Sequence, residues 1–350
     1  MARRVTTAMT GWHAGPGIRR KSAQFAGFRL ALALHGTRRM TTALAGPLPS
    51  MLEVGFGLAS RCTGPEAIAR AAAIATSRLH GATPDLALIV TAGQPVGDAA
   101  THARSILGRI QIAGGATAAI LTDDGPMKEG ALVACVANAD GAASGVAATA
   151  GRGLVDAGQA AARLILSGWP FRARYPRGLG IAFARPATGD TAQQFLDSWR
   201  DFMGPKMRTV CGVVTSPVLY GGPADRTPNV SVACVEAPYA TGLGYTDAGT
   251  EPTPTSDSLV HGAADATLTA LKRLDGRPAK LVLVIESAAR YAMLGSATRA
   301  EWSAMRSQMD EATPCIGWLV DDVAAYGRGV QPTVARGPLV VVAVGDAPRA

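Results

Sequence analysis

An internal repeat constrains the fold of this chain more than any other feature of the sequence. The strand-like run VACV occurs at residues 133–136 and again, 99 residues later, at 232–235. The run LTDD at 121–124 is answered by LVDD at 319–322, at twice that interval. Self-similarity at a fixed period is typical of a chain built from copies of one structural unit. Residues 52–346 are therefore predicted to contain one module three times.

Each copy follows the pattern of a strand, a helix, a strand, a helix and two strands. In the first copy, residues 52–60 and the apolar run 86–91 have the composition of buried strands. Gly55 and Gly57 lack the third glycine of a dinucleotide fingerprint, so they indicate close backbone packing. Capping boxes at helix starts are predicted at Thr63 and Glu66, Asp156 and Gln159, Asp190 and Gln193, and Thr298 and Glu301.

The predicted fold class is α/β, with three repeated β-α-β-α-β-β modules that form two packed lobes with largely buried sheets. Two modules occupy residues 51–237 and the third occupies 238–350. Residues 1–50 contain eight basic residues and no acidic one, and this leader is predicted to be disordered. Three explanations of it stay open: translated sequence upstream of a functional start at Met51, an organelle transit peptide, or a basic arm that touches anionic partners.

The net charge of +8 does not predict nucleic-acid binding by the folded part of the chain. Eight of the 34 basic residues lie in the leader, so the remaining 26 equal the 26 acidic residues. Nucleic-acid binding needs clustered positive charge that neutralises phosphates. No uncharged apolar run approaches the roughly 18 residues of a membrane-spanning helix. We expect a soluble cytoplasmic protein without membrane contact, or an organellar one if the leader is a transit peptide.

Sequence motifs predict neither a cofactor nor a metal site. Cys135, Cys211, Cys234 and Cys315 lie within or at the start of apolar runs, where cysteine acts as a small hydrophobic residue. No Cys-x-x-Cys pair or His and Cys cluster has metal-ligand spacing. Cys62 precedes a predicted helix whose dipole favours a thiolate, but no motif supplies the base that a catalytic cysteine needs. The sequence therefore does not predict an enzyme.

Two stretches carry a resemblance to a known family. Residues 86–136, with AGG at 113–115 and ILTDDGP at 120–126, resemble the N-terminal FIST domain (F-box and intracellular signal transduction). Residues 281–290 and the PCIGW run at 314–318 are similar to parts of the FIST C-terminal domain. The resemblance covers about 52–346.

The chain departs from the FIST pattern at two places. The family's Cys-x-Gly turn is Ser-Ala-Ala at 287–289, and its Gly-Glu-Ile motif is Asp-Asp-Val at 321–323. If these positions touch a ligand in the family, the ligand here differs or is absent. The resemblance implies a small-molecule-sensing signal-transduction protein that acts through a signalling protein partner. Its ligand would be an amino acid or a related small polar metabolite, bound between the N-terminal and C-terminal modules.

Five residues are candidate ligand contacts. Arg290 follows a buried strand, where a loop can present its guanidinium to a ligand carboxylate. The alternative for Arg290 is a structural ion pair with a nearby carboxylate such as Glu286 or one of the aspartates. Two pairs of neighbouring aspartates at corresponding strand ends can bind an amine or a cation, or hold one proton, although aspartate is also common in turns. These pairs are Asp123 with Asp124, and Asp321 with Asp322.

Two other function classes compete with ligand sensing. An interaction scaffold of the F-box-associated type would have an exposed apolar patch and no pocket with convergent polar groups. A hydrolase would use Cys62 or the aspartate pairs as its catalytic groups.

Overall fold

The computed structural model describes residues 52–62, 64–93, 99–139, 141–147, 153–168, 178–186, 190–215, 218, 229–236, 239–249, 254–327 and 336–346. The predicted leader, residues 1–50, lies outside the described residues. The same holds for the predicted domain boundary at 237 and 238.

Strands and helices alternate along most of the described chain. The strands are β1 (Glu53–Ser60), β2 (Pro84–Ala92), β3 (Gln111–Thr117), β4 (Ile120–Thr122), β5 (Gly125–Met127), β6 (Gly130–Ala137), β7 (Gly141–Ala147), β8 (Gly178–Ala184), β9 (Met207–Val213), β10 (Val230–Glu236), β11 (Ala240–Thr246), β12 (Ala279–Ser287), β13 (Cys315–Val320), β14 (Asp322–Tyr326) and β15 (Leu339–Gly345). The helices are α1 (Gly64–Ser77), α2 (Ala99–Leu107), α3 (Leu154–Gly168), α4 (Ala192–Met203), α5 (Ser256–Lys272), α6 (Ala288–Leu294) and α7 (Thr298–Arg306), with a short 3-10 helix at Gly295–Ala297.

The described strands form three mixed sheets, which confirms the predicted α/β class. Their strand orders are β1-β6-β2-β3, β14-β9-β8-β10-β7 and β11-β15-β12-β13-β4-β5. Each sheet has one parallel pair, namely β2 with β3, β8 with β9, and β12 with β13. Parallel neighbours need a crossover connection, and helices lie between the two strands of each pair in the sequence.

The second and third sheets are each extended at one edge by a segment that follows the third strand of another sheet, and the first sheet makes a single bridge to such a segment. After β3, the β4–β5 hairpin pairs with β13 of the third sheet, where Leu121 lies opposite Gly317. After β13, β14 pairs with β9 of the second sheet. After β9, Val218 forms an isolated bridge with Gly115 at β3 of the first sheet. These exchanged segments cover strand edges that would otherwise be open to pairing with other chains.

One hydrophobic core lies between the three sheets. It contains side chains from all of them, for example Leu88, Phe183 and Trp318, and the rings of Phe183 and Trp318 stack with centroids 5.6 Å apart. The opposite face of each sheet packs against its own helices in a separate cluster. The prediction of two packed lobes is therefore wrong, because the inner faces of all three sheets bury one another.

Glycines in β1 and β11, the strands that precede α1 and α5, let these helices pack directly against the strand backbone. A Cβ atom at Gly57 in β1 would overlap the carbonyl oxygen of Ala71 in α1, and one at Gly244 in β11 would overlap that of Ala266 in α5. Only glycine fits where a helix approaches a strand this closely. The interpretation of the early Gly-x-Gly as close packing is confirmed.

Three of the four predicted capping boxes differ in the structure, and Asp156 with Gln159 lie inside α3 rather than at its start. Helix α4 starts with a box formed by Thr191 and Gln194, one residue after the predicted pair. Asp190 instead accepts a hydrogen bond from the Leu154 backbone N–H, 3.1 Å away, at the start of α3. Helix α7 has no side-chain cap at its N-terminus. Its predicted box residue, Glu301, is buried and bonded elsewhere, as described below.

Thr63, the first residue of the predicted capping box with Glu66, lies outside the described residues. In the described part of the chain, no helix has both the length and the apolar character needed to cross a bilayer.

Candidate functional site

A cavity of about 330 Å³ lies between the β4–β5 hairpin and helices α6 and α7. We call it the hairpin pocket. Its lining comes from both sides of the predicted boundary between the N-terminal and C-terminal regions. The lining residues are Leu121, Thr122, Asp123, Asp124, Gly125, Pro126, Glu286, Tyr291, Thr298, Arg299, Glu301 and Trp302.

Contacts to α7 hold the hairpin turn in place at one side of the pocket. Asp123 accepts a hydrogen bond from the indole N–H of Trp302 at 2.8 Å. The same Oδ1 atom lies 3.2 Å from Nε of Arg306. Within the turn, the Thr122 hydroxyl donates to the Gly125 carbonyl oxygen at 2.8 Å. Asp123 thus links the turn to α7 while its side chain stays 61% exposed.

Glu286 is the most deeply buried acid of the pocket. It lies next to the end of β12, is 2% exposed, and its Oε1 atom has no hydrogen-bond partner among the described residues. A buried acceptor without a donor costs about 1–3 kcal/mol, because it has lost water and gained nothing.

A chain of three buried groups leads from Glu286 away from the pocket. Arg290 Nε donates to Oε1 of Glu301 at 2.8 Å, and the carboxyl groups of Glu301 and Glu286 are hydrogen-bonded to each other. Burial and the nearby charge of Glu301 raise the pKa of Glu286 well above its ordinary value, against the opposing charge of Arg290. Burial also raises the pKa of Glu301, while Arg290 lowers it. Because the guanidinium of Arg290 stabilises the charged form of Glu301, the site favours the neutral form of Glu286 over that of Glu301.

Arg290 does not reach the pocket surface. Its side chain is fully buried, and its guanidinium donates to Glu301 and to the carbonyl oxygens of Leu259 and Gly337. The guanidinium therefore forms a structural ion pair, which was the alternative considered from the sequence. Its predicted contact with a ligand carboxylate does not fit this geometry.

The two aspartate pairs do not occupy equivalent strand ends. Asp321 follows β13 directly, whereas Asp123 follows β4, an additional strand that belongs to the sheet of β13. Asp321 accepts from the Thr215 backbone N–H at 2.6 Å. Asp322 accepts from the Ala192 backbone N–H at 3.1 Å, at the start of α4. The hairpin pocket is lined by the first pair but not by the second.

Two aromatic side chains form part of the pocket wall. Tyr291 of α6 and Trp302 of α7 are half-buried and pack against Leu121 and Leu319. Aromatic faces attract cations through the negative potential of the ring. The pocket therefore combines acidic groups with aromatic surface.

Two other cavities differ from the hairpin pocket in composition. A central cavity of about 60 Å³ between the sheets is lined by apolar side chains and Tyr239. A third cavity, of about 380 Å³, is lined by residues that include Glu53, His80, Lys280 and Asp310. No group of three or more His, Cys, Asp or Glu residues in the described part of the chain is arranged to hold a metal ion.

The cysteines occupy the core, as predicted. Cys135, Cys211, Cys234 and Cys315 are buried, and burial raises the pKa of the Cys135 and Cys315 thiols to about 12. Such thiols stay protonated and do not act as nucleophiles at neutral pH. Cys62 is half-buried and packs against the core between α1 and the first sheet.

No protein-family model and no curated protein sequence matches this chain. The resemblance to the FIST domains therefore depends on the residues quoted above.

From the sequence, Glu286 is expected only as an ion-pair partner of Arg290, and Glu301 only as a cap of α7. An acid directly after the apolar run 281–285 was the one available signal for Glu286. A carboxyl group that follows a buried strand is placed near the end of a sheet, where ligands commonly bind.

Proposed function

We propose that this protein senses a small polar molecule in the hairpin pocket and transmits its binding to a protein partner. The observation that carries the proposal is a cavity of about 330 Å³ whose lining comes from both predicted regions and includes four acids, namely Asp123, Asp124, Glu286 and Glu301. A cavity of this size with a few convergent polar groups is typical of a small-molecule site.

The FIST resemblance supports the same proposal, and with it we propose that the chain contains three copies of one module. One pairing scheme is seen when the exchanged strands β4, β5 and β14 are left out of each sheet. The last strand (β6, β10 or β15) then pairs with both the first and the second strands, and the second pairs in parallel with the third. Cys135 and Cys234, the repeated cysteines, both lie in such a last strand and face the helices. This common pairing scheme is what one ancestral unit would produce.

Signal transmission would use the two sides of the pocket. The hairpin comes from the predicted N-terminal region, and α6 and α7 come from the C-terminal region. A ligand that touches both sides stabilises one relative position of the hairpin and α7, and a partner protein that contacts either side can detect that change.

A thermal-shift screen of amines, amino acids, organic acids and sugars tests the proposal. We expect at least one class to raise Tm, because a ligand at one hundred times its Kd stabilises the folded state by about 2.7 kcal/mol. Asp124→Trp, which places a bulky side chain at the rim, should abolish the shift. Asp310→Trp makes the same substitution at the third cavity and should leave the shift intact. The proposal is wrong if no compound shifts Tm, or if Asp124→Trp retains the full shift.

A further inference from the structure

We infer that the central cavity between the three sheets is a second binding site, which takes a small uncharged apolar molecule such as xenon or a short hydrocarbon. This site is separate from the hairpin pocket, and the described residues that line the two cavities are all different. The position, origin, chemistry, size and access of the central cavity support the inference.

The cavity lies at one end of the shared core, where β2, β8 and β12 begin and β6, β10 and β15 end. Three pairs of cross-strand neighbours line this end, namely Leu86 with Val136, Leu179 with Val235, and Leu281 with Val344. Matching side chains from all three sheets therefore surround the same space.

Small side chains in two of the three sheets leave this space unfilled. The next cross-strand pairs along the strands are Ala134 with Leu88, Ala233 with Ile181, and Val342 with Leu283. Ala134 and Ala233 border the cavity at positions where the third sheet has valine. A void of this kind persists because the side chains around it relax only partly.

The chemistry of the lining excludes charged and strongly polar guests. Tyr239 is the polar exception among the described lining residues, and its hydroxyl already donates to the carbonyl oxygen of Val235 at 3.0 Å. A charged guest would lose its hydration without meeting an opposite charge. A water molecule would lack the roughly two to four polar partners that it needs in a protein interior. An apolar guest meets neither obstacle.

The volume of the cavity sets the size of the guest. The cavity measures about 60 Å³, which exceeds the roughly 10–15 Å³ that one water molecule needs. It is smaller than an engineered apolar cavity of about 150 Å³ that stays dry and binds benzene or xenon. Atoms that face empty space lack dispersion contacts, and a guest of matching size would supply them. The guest should therefore be smaller than benzene.

A route into the cavity lies beside β1. Val54 and Val136 are partly exposed, whereas the other lining residues are buried. Val54 also lines the third cavity, where the side chains of His80 and Asp310 are exposed to solvent. Rotation of the Val54 side chain would connect the two cavities, so an apolar guest can enter without separation of the sheets.

Methyl NMR spectra of the full chain under xenon pressure test the inference. We expect saturable shifts of the methyl signals of Leu86, Leu179 and Leu281, which line the cavity. The methyl signals of Leu259 and Leu294 should not move, because these residues pack in a separate cluster. Isobutene and acetone then provide a matched pair of similar shape but different polarity. Isobutene should bind at least about tenfold more tightly than acetone.

A cavity-filling variant locates the site. The double change Ala134→Val with Ala233→Val gives the first two sheets the side chain that the third has, and it should weaken xenon binding at least about tenfold. Ala324→Val is the matched control, because Ala324 packs on the helix side of the second sheet. That control should respond to xenon as the unaltered chain does.

Three results would overturn the inference: unshifted methyl signals in the cavity, equal binding of isobutene and acetone, or an undiminished xenon response in the double variant. If the double variant does not fold, the first two measurements on the unaltered chain still decide. Failure of the proposed function would look different, since it concerns polar compounds and the rim of the hairpin pocket.

Discussion

The β4–β5 turn and the junction between β13 and β14 have the same pair of aspartates but use them in opposite ways. At the junction, Asp321 accepts a hydrogen bond from the backbone N–H of Thr215, just after β9, and Asp322 accepts one from the backbone N–H of Ala192 in α4. At the turn, Asp123 bonds to side chains of α7, and Asp124 borders a cavity. The carboxylates of the junction are committed to the fold, whereas those of the turn face space that a ligand can fill.

This difference shows that the Asp-Asp motif does not by itself determine the role of its carboxylates. Asp321 and Asp322 lie where the chain passes from the third sheet to the second, whereas Asp123 and Asp124 lie in the turn between β4 and β5, which both belong to the third sheet. The donors that face them differ, and the buried acid beside the turn has no counterpart among the contacts of Asp321 and Asp322. Three sets of variants test the contrast between the turn and the junction.

The largest effect is expected for Arg290→Ala. This change leaves the acids Glu301 and Glu286 buried without their cation, and removal of one partner from a buried ion pair costs about 3–5 kcal/mol. Urea unfolding measures the loss. Arg200→Ala is the control, because its pairs with Asp197 and Asp201 are exposed and should contribute less than about 1 kcal/mol. Equal losses of unfolding free energy in the two variants would show that the buried pair of Arg290 and Glu301 stabilises the fold no more than the exposed pairs of Arg200 do.

The second effect is a pH dependence of the unfolding free energy, caused by Glu286 at the pocket. The folded state raises the pKa of Glu286 through burial, so it retains a proton that the unfolded chain releases above about pH 4.3. The contribution of Glu286 to stability is therefore complete below that pH and is lost as the pH rises to its folded pKa. The slope for one proton is at most about 1.4 kcal/mol per pH unit.

Urea unfolding across this pH range checks the slope. Glu286→Gln cannot ionise, so its unfolding free energy should fall less steeply with increasing pH than that of the unaltered chain. A slope unchanged in Glu286→Gln would mean that Glu286 is ionised in the folded protein.

The smallest effect separates the two aspartate pairs directly. Asp322→Ala removes an acceptor from the first turn of α4 and should cost about 1 kcal/mol. Asp123→Ala removes a largely exposed ion pair and should cost between about 0 and 1 kcal/mol. Thermal unfolding gives the stability difference, and the rise in Tm caused by a compound found in the screen should be smaller for Asp123→Ala alone. The reverse pattern would place the binding role at the junction.

Local sequence patterns predicted the elements of this fold better than its contacts. The apolar run 86–91 falls within β2, and the packing role of the early glycines is confirmed, because both depend on neighbouring residues. The exchange of edge segments between sheets was not predicted, since it joins residues far apart in the sequence. Two lobes were inferred where three sheets share one core, because apolar strands do not reveal which sheet faces which.

The site was predicted only in part for the same reason. Asp123 and Asp124 lie at the pocket as ligand candidates, but the burial of Arg290 depends on Leu259 and Gly337, which are distant in sequence. Glu301 fits the spacing of a capping box, and this local pattern concealed its role as a buried ion-pair partner. The role of an isolated acid such as Glu286 cannot be predicted from its sequence neighbours, because it depends on the elements that enclose it in the fold.

The exchanged edge segments also bear on how the chain loses its structure. Since β4 completes the sheet of β13, and β14 completes the sheet of β9, unfolding of the first sheet takes a partner strand from the third, and unfolding of the third takes one from the second. Separation of the sheets would also expose the apolar surfaces that meet at Phe183 and Trp318. The cooperative unit is consequently larger than any one sheet, and a fragment cut between sheets would carry both an open edge and an unprotected apolar face.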